Sequence, residues 1–196
     1  MFIELTDHLR CPADHDESFL VLLPDKMEGR SVLTGNLGCP VCGRTFELKD
    51  GVLDTGGGPP SDANARTALD ADALTTLVGL HGPGGYLALV GPVAALSNDV
   101  AQLVPGVALV AVNPPPAVRD SPGLSILRGG RLPIKSHSMR GVALGRPFAG
   151  EPHWVAEAAR VVLPGLRVVG EGEDPGSDLI ELLASADGVW VGIRRR

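Results

Sequence analysis

Residues 86–113 read YLALVGPVAALSNDVAQLVPGVALVAVN. This stretch holds two short runs of apolar residues, Tyr86 to Val90 and Val107 to Val112, with a helix-compatible segment between them. Apolar runs of this length are typical of strands that lie buried between two layers of helices, as in parallel sheets. The stretch therefore predicts a β-α-β unit at the centre of an α/β domain.

The same alternation continues on both sides of this unit. Further strands are predicted at residues 124–127, 141–144, 166–169 and 188–193. Helices are predicted from a cap at Ser61 or Asp62 as far as Gly82, at 153–163 behind Pro152, and at 178–184. Alternating strands and helices predict a Rossmann-like, doubly wound parallel sheet with helices on both faces.

The N-terminal part of the chain has a different pattern. Short apolar runs at 19–23, 31–37, 45–48 and 52–53 are separated by turn residues, which predicts a small β-rich module. The segment GGGPPSD that follows contains residues that break regular structure. We therefore predict a module at 1–55, a linker at 56–62 and an α/β domain at 63–196.

Charge and hydropathy exclude several classes of function. The formal net charge is −6, and the one basic cluster is Arg194 to Arg196, which argues against direct binding of nucleic acid. The apolar runs are shorter than the roughly 20 residues that a membrane-spanning helix needs. The acidic start of the chain differs from the basic start of a signal peptide. We therefore expect a cytoplasmic protein that binds neither nucleic acid nor membrane.

The cysteines predict a metal-binding knuckle. Cys39 and Cys42 have the Cys-x-x-Cys spacing that places two thiolates on one edge of a zinc tetrahedron, and Cys11 supplies a third sulfur. The fourth ligand is His15, the better zinc ligand in general, or Asp14, which has the spacing of a second Cys-x-x-Cys. The alternative is a knuckle that packs without metal, because free cysteine also behaves as a small buried apolar residue.

The residues around these cysteines resemble a known family. The runs LRCP at 9–12, GCPVCGR at 38–44 and FELKDGV at 46–52 are similar to the zinc-ribbon-like activator subunit of tRNA and protein methyltransferases and its short bacterial relatives. That family carries Cys-Pro-x-Cys in its first motif, so Asp14 replaces a cysteine. The resemblance implies a binding module that docks on a methyltransferase fold.

The second part of the chain resembles the class I S-adenosylmethionine-dependent methyltransferases. Residues 131–144, RLPIKSHSMRGVAL, are similar to the segment that leads into the fourth strand of those enzymes. Residues 157–169, EAARVVLPGLRVV, are similar to the helix and strand that follow. The resemblance implies a methyltransferase-type sheet.

The residues that would bind the cofactor depart from this resemblance. Such a fold needs glycines after the first strand and an acid at the end of the second strand, which accepts the ribose hydroxyls. This chain has Gly91 followed by Pro92, and Asn113 in place of the acid. Arg140 stands where the family has Asp, at a position that we expect to contact the cofactor. We therefore predict a degenerate cofactor loop, no S-adenosylmethionine and no catalytic residue.

Three functions follow from these patterns. The first is a non-catalytic interaction, regulatory or scaffold subunit that binds a protein partner or a second copy of itself. Its crevice should then be filled by side chains from Pro92 to Leu96, and its surface should carry an apolar patch. The second is an S-adenosylmethionine-dependent methyltransferase with a divergent loop. The third is a binder of another small molecule in the same crevice.

Overall fold

The computed structural model describes residues 1–60 and 62–195, so Ser61 and Arg196 lie outside the described residues. The strands are β1 (Val21–Glu28), β2 (Ser31–Gly38), β3 (Thr45–Lys49), β4 (Val52–Asp54), β5 (Tyr86–Val90), β6 (Ala108–Val112), β7 (Leu124–Arg128), β8 (Gly141–Leu144), β9 (Arg167–Glu171), β10 (Ile180–Ala186) and β11 (Val189–Arg194). The α-helices are α1 (Ala71–Val78), α2 (Ser97–Leu103) and α3 (Pro152–Val161), and short 3-10 helices cover Ile3–His8, Gly91–Leu96 and Phe148–Gly150.

The described strands form one 11-stranded sheet in the order β1-β2-β3-β4-β7-β6-β5-β8-β9-β11-β10. From β4 to β9 the neighbouring strands run parallel, and β7-β6-β5-β8-β9 repeats the strand order of a doubly wound fold. The remaining strands pair antiparallel at the two ends of the sheet. The predicted Rossmann-like α/β class is confirmed.

The sheet is continuous between the N-terminal residues and the rest of the chain. Val52 and Leu53 of β4 pair in parallel with Ile126 and Leu127 of β7. Met1, Leu5 and Leu9 lie in the same hydrophobic cluster as the buried side chains of β5, β8 and α3. A boundary at 56–62 stays a prediction, and the structure adds that the segments on either side of it share a core.

Helix α1 begins later than predicted. The side chain of Asp70, not of Asp62, caps it by accepting a hydrogen bond from the backbone N–H of Ala73 at 2.7 Å. The preceding backbone N–H groups of Ala68 and Leu69 donate instead to the buried carboxylate of Glu171, at 2.7 and 3.2 Å. This long-range partner keeps the preceding turn out of the helix.

The predicted helix at 178–184 is wrong, since Ile180–Ala186 is the edge strand β10. It pairs antiparallel with β11 through a tight turn at Asp187 and Gly188, whose φ angles are 52° and 73°. An Asp-Gly pair with positive φ at both residues favours a two-residue hairpin, and the hairpin outweighs the helix propensity of Leu and Ala.

Strand β1 also extends beyond its predicted end at Pro24. Proline is tolerated there because β1 is an edge strand, where a missing backbone donor costs no pairing. Within residues 1–60 and 62–195, each helix is too short or too polar to cross a bilayer.

Candidate functional site

A crevice of about 540 Å³ lies at the edge of the sheet where the parallel strands β5, β6 and β8 end. Ligands of doubly wound folds bind at this edge. Pro59, Pro60 and Asp62 form part of its wall. The sheet side contributes Pro92, Asn113, Pro115 and Phe148.

Gly91 follows β5 as predicted, but an aromatic ring covers it. Its φ of 74° requires glycine, and a Cβ atom at this position would stand 2.4 Å from Cε2 of Phe148. The Phe148 ring is buried and packs edge-on against Trp154, with 4.9 Å between the ring centroids. The Phe148 ring therefore lies directly against the backbone of the turn that follows β5.

We expected side chains of residues 92–96 to fill the crevice, and this prediction is correct for one residue, Pro92. Pro92 lies on the crevice wall, whereas Val93 and Ala94 are buried in the hydrophobic cluster on the other side of the sheet. The 3-10 helix at Gly91–Leu96 turns these two side chains away from the crevice. The side chain that fills the crevice beside Gly91 is instead that of Phe148, about 55 residues further along the chain.

Asn113 ends β6 at the position where a ribose-binding acid is expected. Its backbone has a φ of 49°, which asparagine tolerates better than most residues. Its Nδ2 donates to the carbonyl of Gly129 at 2.8 Å, and its Oδ1 accepts from the N–H of Gly129 at 3.0 Å. Gly58 packs so closely that an added Cβ would stand 3.0 Å from this Oδ1. The amide thus bonds the end of β6 to the residue after β7, and Gly58 packs against it.

Arg140 does not lie at the crevice, which corrects the expectation that it contacts a cofactor. It precedes β8 at the opposite edge of the sheet, and its backbone N–H donates to the carbonyl of Tyr86 at the start of β5. Its guanidinium donates to the carbonyls of His81 and Gly84, both at 2.6 Å. Arg140 therefore fixes the turn before β5.

The predicted metal ligands come together at the other end of the molecule. The ligand atoms of Cys11, His15, Cys39 and Cys42 all lie within 4.8 Å of one another. Sγ of Cys11 is 3.7 Å from Sγ of Cys42, and Sγ of Cys39 is 3.4 Å from Nε2 of His15. A zinc tetrahedron with ordinary bond lengths has edges of roughly 3.8 Å between sulfurs and roughly 3.5 Å between sulfur and nitrogen.

The donor set of the knuckle therefore fits a zinc ion. Asp14 is exposed and is not one of the four residues in this cluster of the described chain. Three thiolates and one imidazole form a common structural zinc set. In the knuckle the two loops, 11–15 and 39–42, would hold the ion from opposite sides.

The thiols of the knuckle differ in acidity. Burial raises the pKa of Cys11 to about 11. Burial also acts to raise the pKa of Cys39, but the backbone N–H groups of Cys42 and Val41 outweigh it and lower the value to about 6. The hydrogen bond to the carbonyl of Asp16 raises the pKa of His15.

A buried ionic network joins the N-terminal residues to helix α3, and the sequence analysis did not find it. Arg160 donates to both carboxylate oxygens of Glu157 at 2.9 and 2.8 Å and to the carbonyl of Ile134 at 2.7 Å. The N–H of Leu132 donates to Glu157 at 2.9 Å, and Arg10 lies 3.6 Å from the same carboxylate. The i,i+3 spacing of Glu157 and Arg160 was the available signal.

The carboxylate of Glu157 is held in its charged form by this network. Burial acts to raise its pKa, but hydrogen bonds and attraction from Arg160, then from Arg10, outweigh burial and lower it. Helix α3 is therefore bonded through Glu157 and Arg160 to residues 132–134 and lies within 3.6 Å of Arg10 near the N-terminus.

No family model and no curated protein matches the chain. Among solved structures, one similar protein is in the complex between the Haloferax volcanii Trm112 methyltransferase activator and a protein assigned as a methyltransferase. Its identity is 19%, its TM-score is 0.41, and the match covers 50% of each chain.

Two further solved structures show similarity of the same order. A protein of Methanococcus maripaludis assigned as an S-adenosylmethionine-dependent methyltransferase has 12% identity and a TM-score of 0.46 over 64% of this chain and 83% of the other. A phosphoethanolamine N-methyltransferase of Haemonchus contortus has 14% identity and a TM-score of 0.42 over 55% and 30%. The match spans half or less of the Haloferax volcanii and Haemonchus contortus proteins, and the activities of these relatives do not transfer to this chain.

Proposed function

We propose that this protein is a non-catalytic interaction or regulatory subunit, in which a zinc knuckle at 1–55 is joined to a methyltransferase-like α/β domain that does not use S-adenosylmethionine. The observation that carries the proposal is the state of Asn113. Both polar atoms of its side chain bond to Gly129, and the neutral amide has no carboxylate charge with which to hold the hydroxyls of a ribose. An acid at this position is what a doubly wound fold uses to accept those hydroxyls.

The ring above Gly91 supports the same conclusion. A cofactor that approached this backbone would have to displace Phe148 from its buried position against Trp154. Exposing a buried phenylalanine side chain costs about 2 to 3 kcal/mol, which corresponds to a loss of about 30- to 150-fold in affinity. A methyltransferase would bear this cost whenever it binds its cofactor, and a subunit that never displaces Phe148 does not bear it.

An exposed apolar row supports binding to a protein partner or to a second copy of this chain. Val21 and Leu23 lie on one face of β1, Phe19 precedes the strand in the same alternation, and the three are 53%, 64% and 52% exposed. Alternate residues of an extended chain share one face, so these three side chains form a continuous patch. In this proposal zinc is structural and holds the two loops of the knuckle together.

Isothermal titration calorimetry of the full chain with S-adenosylmethionine and S-adenosylhomocysteine tests the proposal. We expect no binding at micromolar concentration. A double variant, Asn113→Asp with Phe148→Ala, restores an acid and space, and we expect it to bind more tightly than the native chain. Circular dichroism checks that the variant is folded.

Micromolar binding by the native chain would contradict the proposal. It would favour the alternative, a methyltransferase with a divergent loop, in which Phe148 swings out when the cofactor binds.

A further inference from the structure

The crevice is preformed and apolar, although the contacts of a nucleoside cofactor are missing from it. Its volume of about 540 Å³ is in the range that holds a small organic ligand. Prolines 59, 60, 92, 115 and 147 and the ring of Phe148 form much of its wall. Because proline side chains have almost no rotamer freedom, little conformational entropy is lost when a ligand is held against them.

The charges on the wall favour an anion. Arg66 and Arg146 line the crevice, and the acid that lines it is Asp62. Within residues 1–60 and 62–195, neither arginine forms an ion pair, although the chain as a whole carries a net charge of −6. Arg66 donates to the backbone carbonyls of Ala63 and Ala65 at 3.2 and 3.1 Å.

Asp62 and the neighbouring acid Glu171 are both bonded to backbone groups. Glu171 is buried behind Arg146 and accepts the backbone N–H groups of Ala68, Leu69 and Arg146. Asp62 accepts the backbone N–H of Asn64 at 2.8 Å. Neither carboxylate pairs with a guanidinium, so both arginines keep donors for a ligand.

We propose that the crevice binds an apolar anion, which is a ligand with a hydrocarbon body against Pro92 and Phe148 and one carboxylate, sulfonate or phosphate group near Arg66 and Arg146. This inference rests on the proposed function, because it requires that S-adenosylmethionine does not occupy the crevice. The sulfonium group of that cofactor carries a positive charge, which two guanidinium groups disfavour. Guanidinium groups bind planar anionic oxygens with two parallel hydrogen bonds.

Fluorescence titration of the full chain with anilinonaphthalene sulfonate, an aromatic sulfonate that brightens in apolar surroundings, tests this inference. We expect saturable binding at one site, with an affinity that falls as salt is added. Competition with octanoate and with adenosine monophosphate then distinguishes an aliphatic carboxylate from a nucleoside phosphate as the anion that fits.

Matched arginine variants decide the result. Arg66→Gln and Arg146→Gln each remove one exposed charge, and we expect each to weaken binding by about tenfold. Arg44→Gln removes an exposed arginine of the knuckle, away from the crevice, and should leave binding unchanged. All three positions are exposed, so the variants should fold as the native chain does, which thermal unfolding verifies.

Two results overturn the inference. One is the absence of saturable binding, and the other is equal affinity in the native chain and in the Arg66→Gln, Arg146→Gln double variant. Either result leaves the proposed function in place if S-adenosylmethionine also fails to bind. Micromolar binding of S-adenosylmethionine that displaces the probe would overturn both.

Discussion

Replacement of Glu157 by glutamine should destabilise the protein and loosen its N-terminal residues from helix α3. The native carboxylate accepts hydrogen bonds from Arg160 and from the N–H of Leu132, and it faces Arg10 at 3.6 Å. Glutamine keeps the shape but removes the charge, and it turns an NH₂ group toward one of the guanidinium donors.

The expected loss in the free energy of unfolding is about 2 to 3 kcal/mol. Removal of one partner from a buried ion pair costs about 3 to 5 kcal/mol. The expected loss lies at or below the low end of that range because the side chain of Arg160 is 20% exposed and can be solvated once its partner is gone. For a chain of this length the loss lowers the midpoint of thermal unfolding by about 4 to 12 °C.

The difference between the two proteins should depend on pH. The folded protein lowers the pKa of Glu157, so the charged carboxylate contributes stability above its unfolded pKa of about 4.3. That contribution is lost as the pH falls through the folded pKa. The native chain and Glu157→Gln should therefore differ fully at pH 7 and converge in acid.

Urea unfolding followed by circular dichroism at pH 7 and at lower pH measures both effects. Glu47→Gln, on the exposed face of β3, is the matched control and should change stability by less than about 0.5 kcal/mol. A double-mutant cycle with Arg10→Gln measures the coupling between the N-terminal residues and α3. A loss below about 1 kcal/mol for Glu157→Gln, or a loss that persists unchanged in acid, would refute the reasoning.

Two other predictions concern the knuckle and the crevice. We expect His15→Ala to remove most of the zinc from purified protein, and Asp14→Ala to retain about one ion per chain, as measured by mass spectrometry of the metal. Zinc contents that are equal in the two variants would show that His15 is not a ligand. We expect Gly91→Ala to lower stability by about 2 to 4 kcal/mol, because it adds positive-φ strain and a collision with Phe148. Gly38→Ala, where an added Cβ meets nothing within 4 Å, is the control in the same unfolding assay.

The sequence predicted much of the sheet because each parallel strand is a continuous apolar run. Such runs mark β5, β6, β7, β8 and β9 wherever they occur, since a strand covered on both faces needs apolar residues at every position. The sequence predicted a helix at the position of β10. That strand is exposed along most of its length, so its residues lack the alternation of apolar and polar side chains that marks a half-buried strand.

The two candidate sites differ in how much of them was predictable. The knuckle followed from the spacing of Cys39 and Cys42, which is a local property of the chain. The arrangement of the crevice did not follow from local spacing. Phe148 contacts Gly91 and Gly129 contacts Asn113, and both come from distant segments. The position of Arg140 was predicted wrongly, because similarity of motifs does not say whether a residue lies where the parallel strands begin or where they end.

By itself, the sequence determined the α/β class, the positions of the central strands and the three cysteines offered to a metal, with His15 or Asp14 as the fourth ligand. Each depends on the identity and spacing of neighbouring residues, and these need no knowledge of the folded chain. Only the tertiary structure showed that Asn113 is hydrogen-bonded to Gly129 and that Phe148 covers Gly91. It alone also showed that Glu157 contacts Leu132 and Arg10, which lie on two other segments. Contacts of this kind depend on groups that the folded backbone brings next to a polar or aromatic side chain. The neighbouring residues in the sequence do not identify those groups.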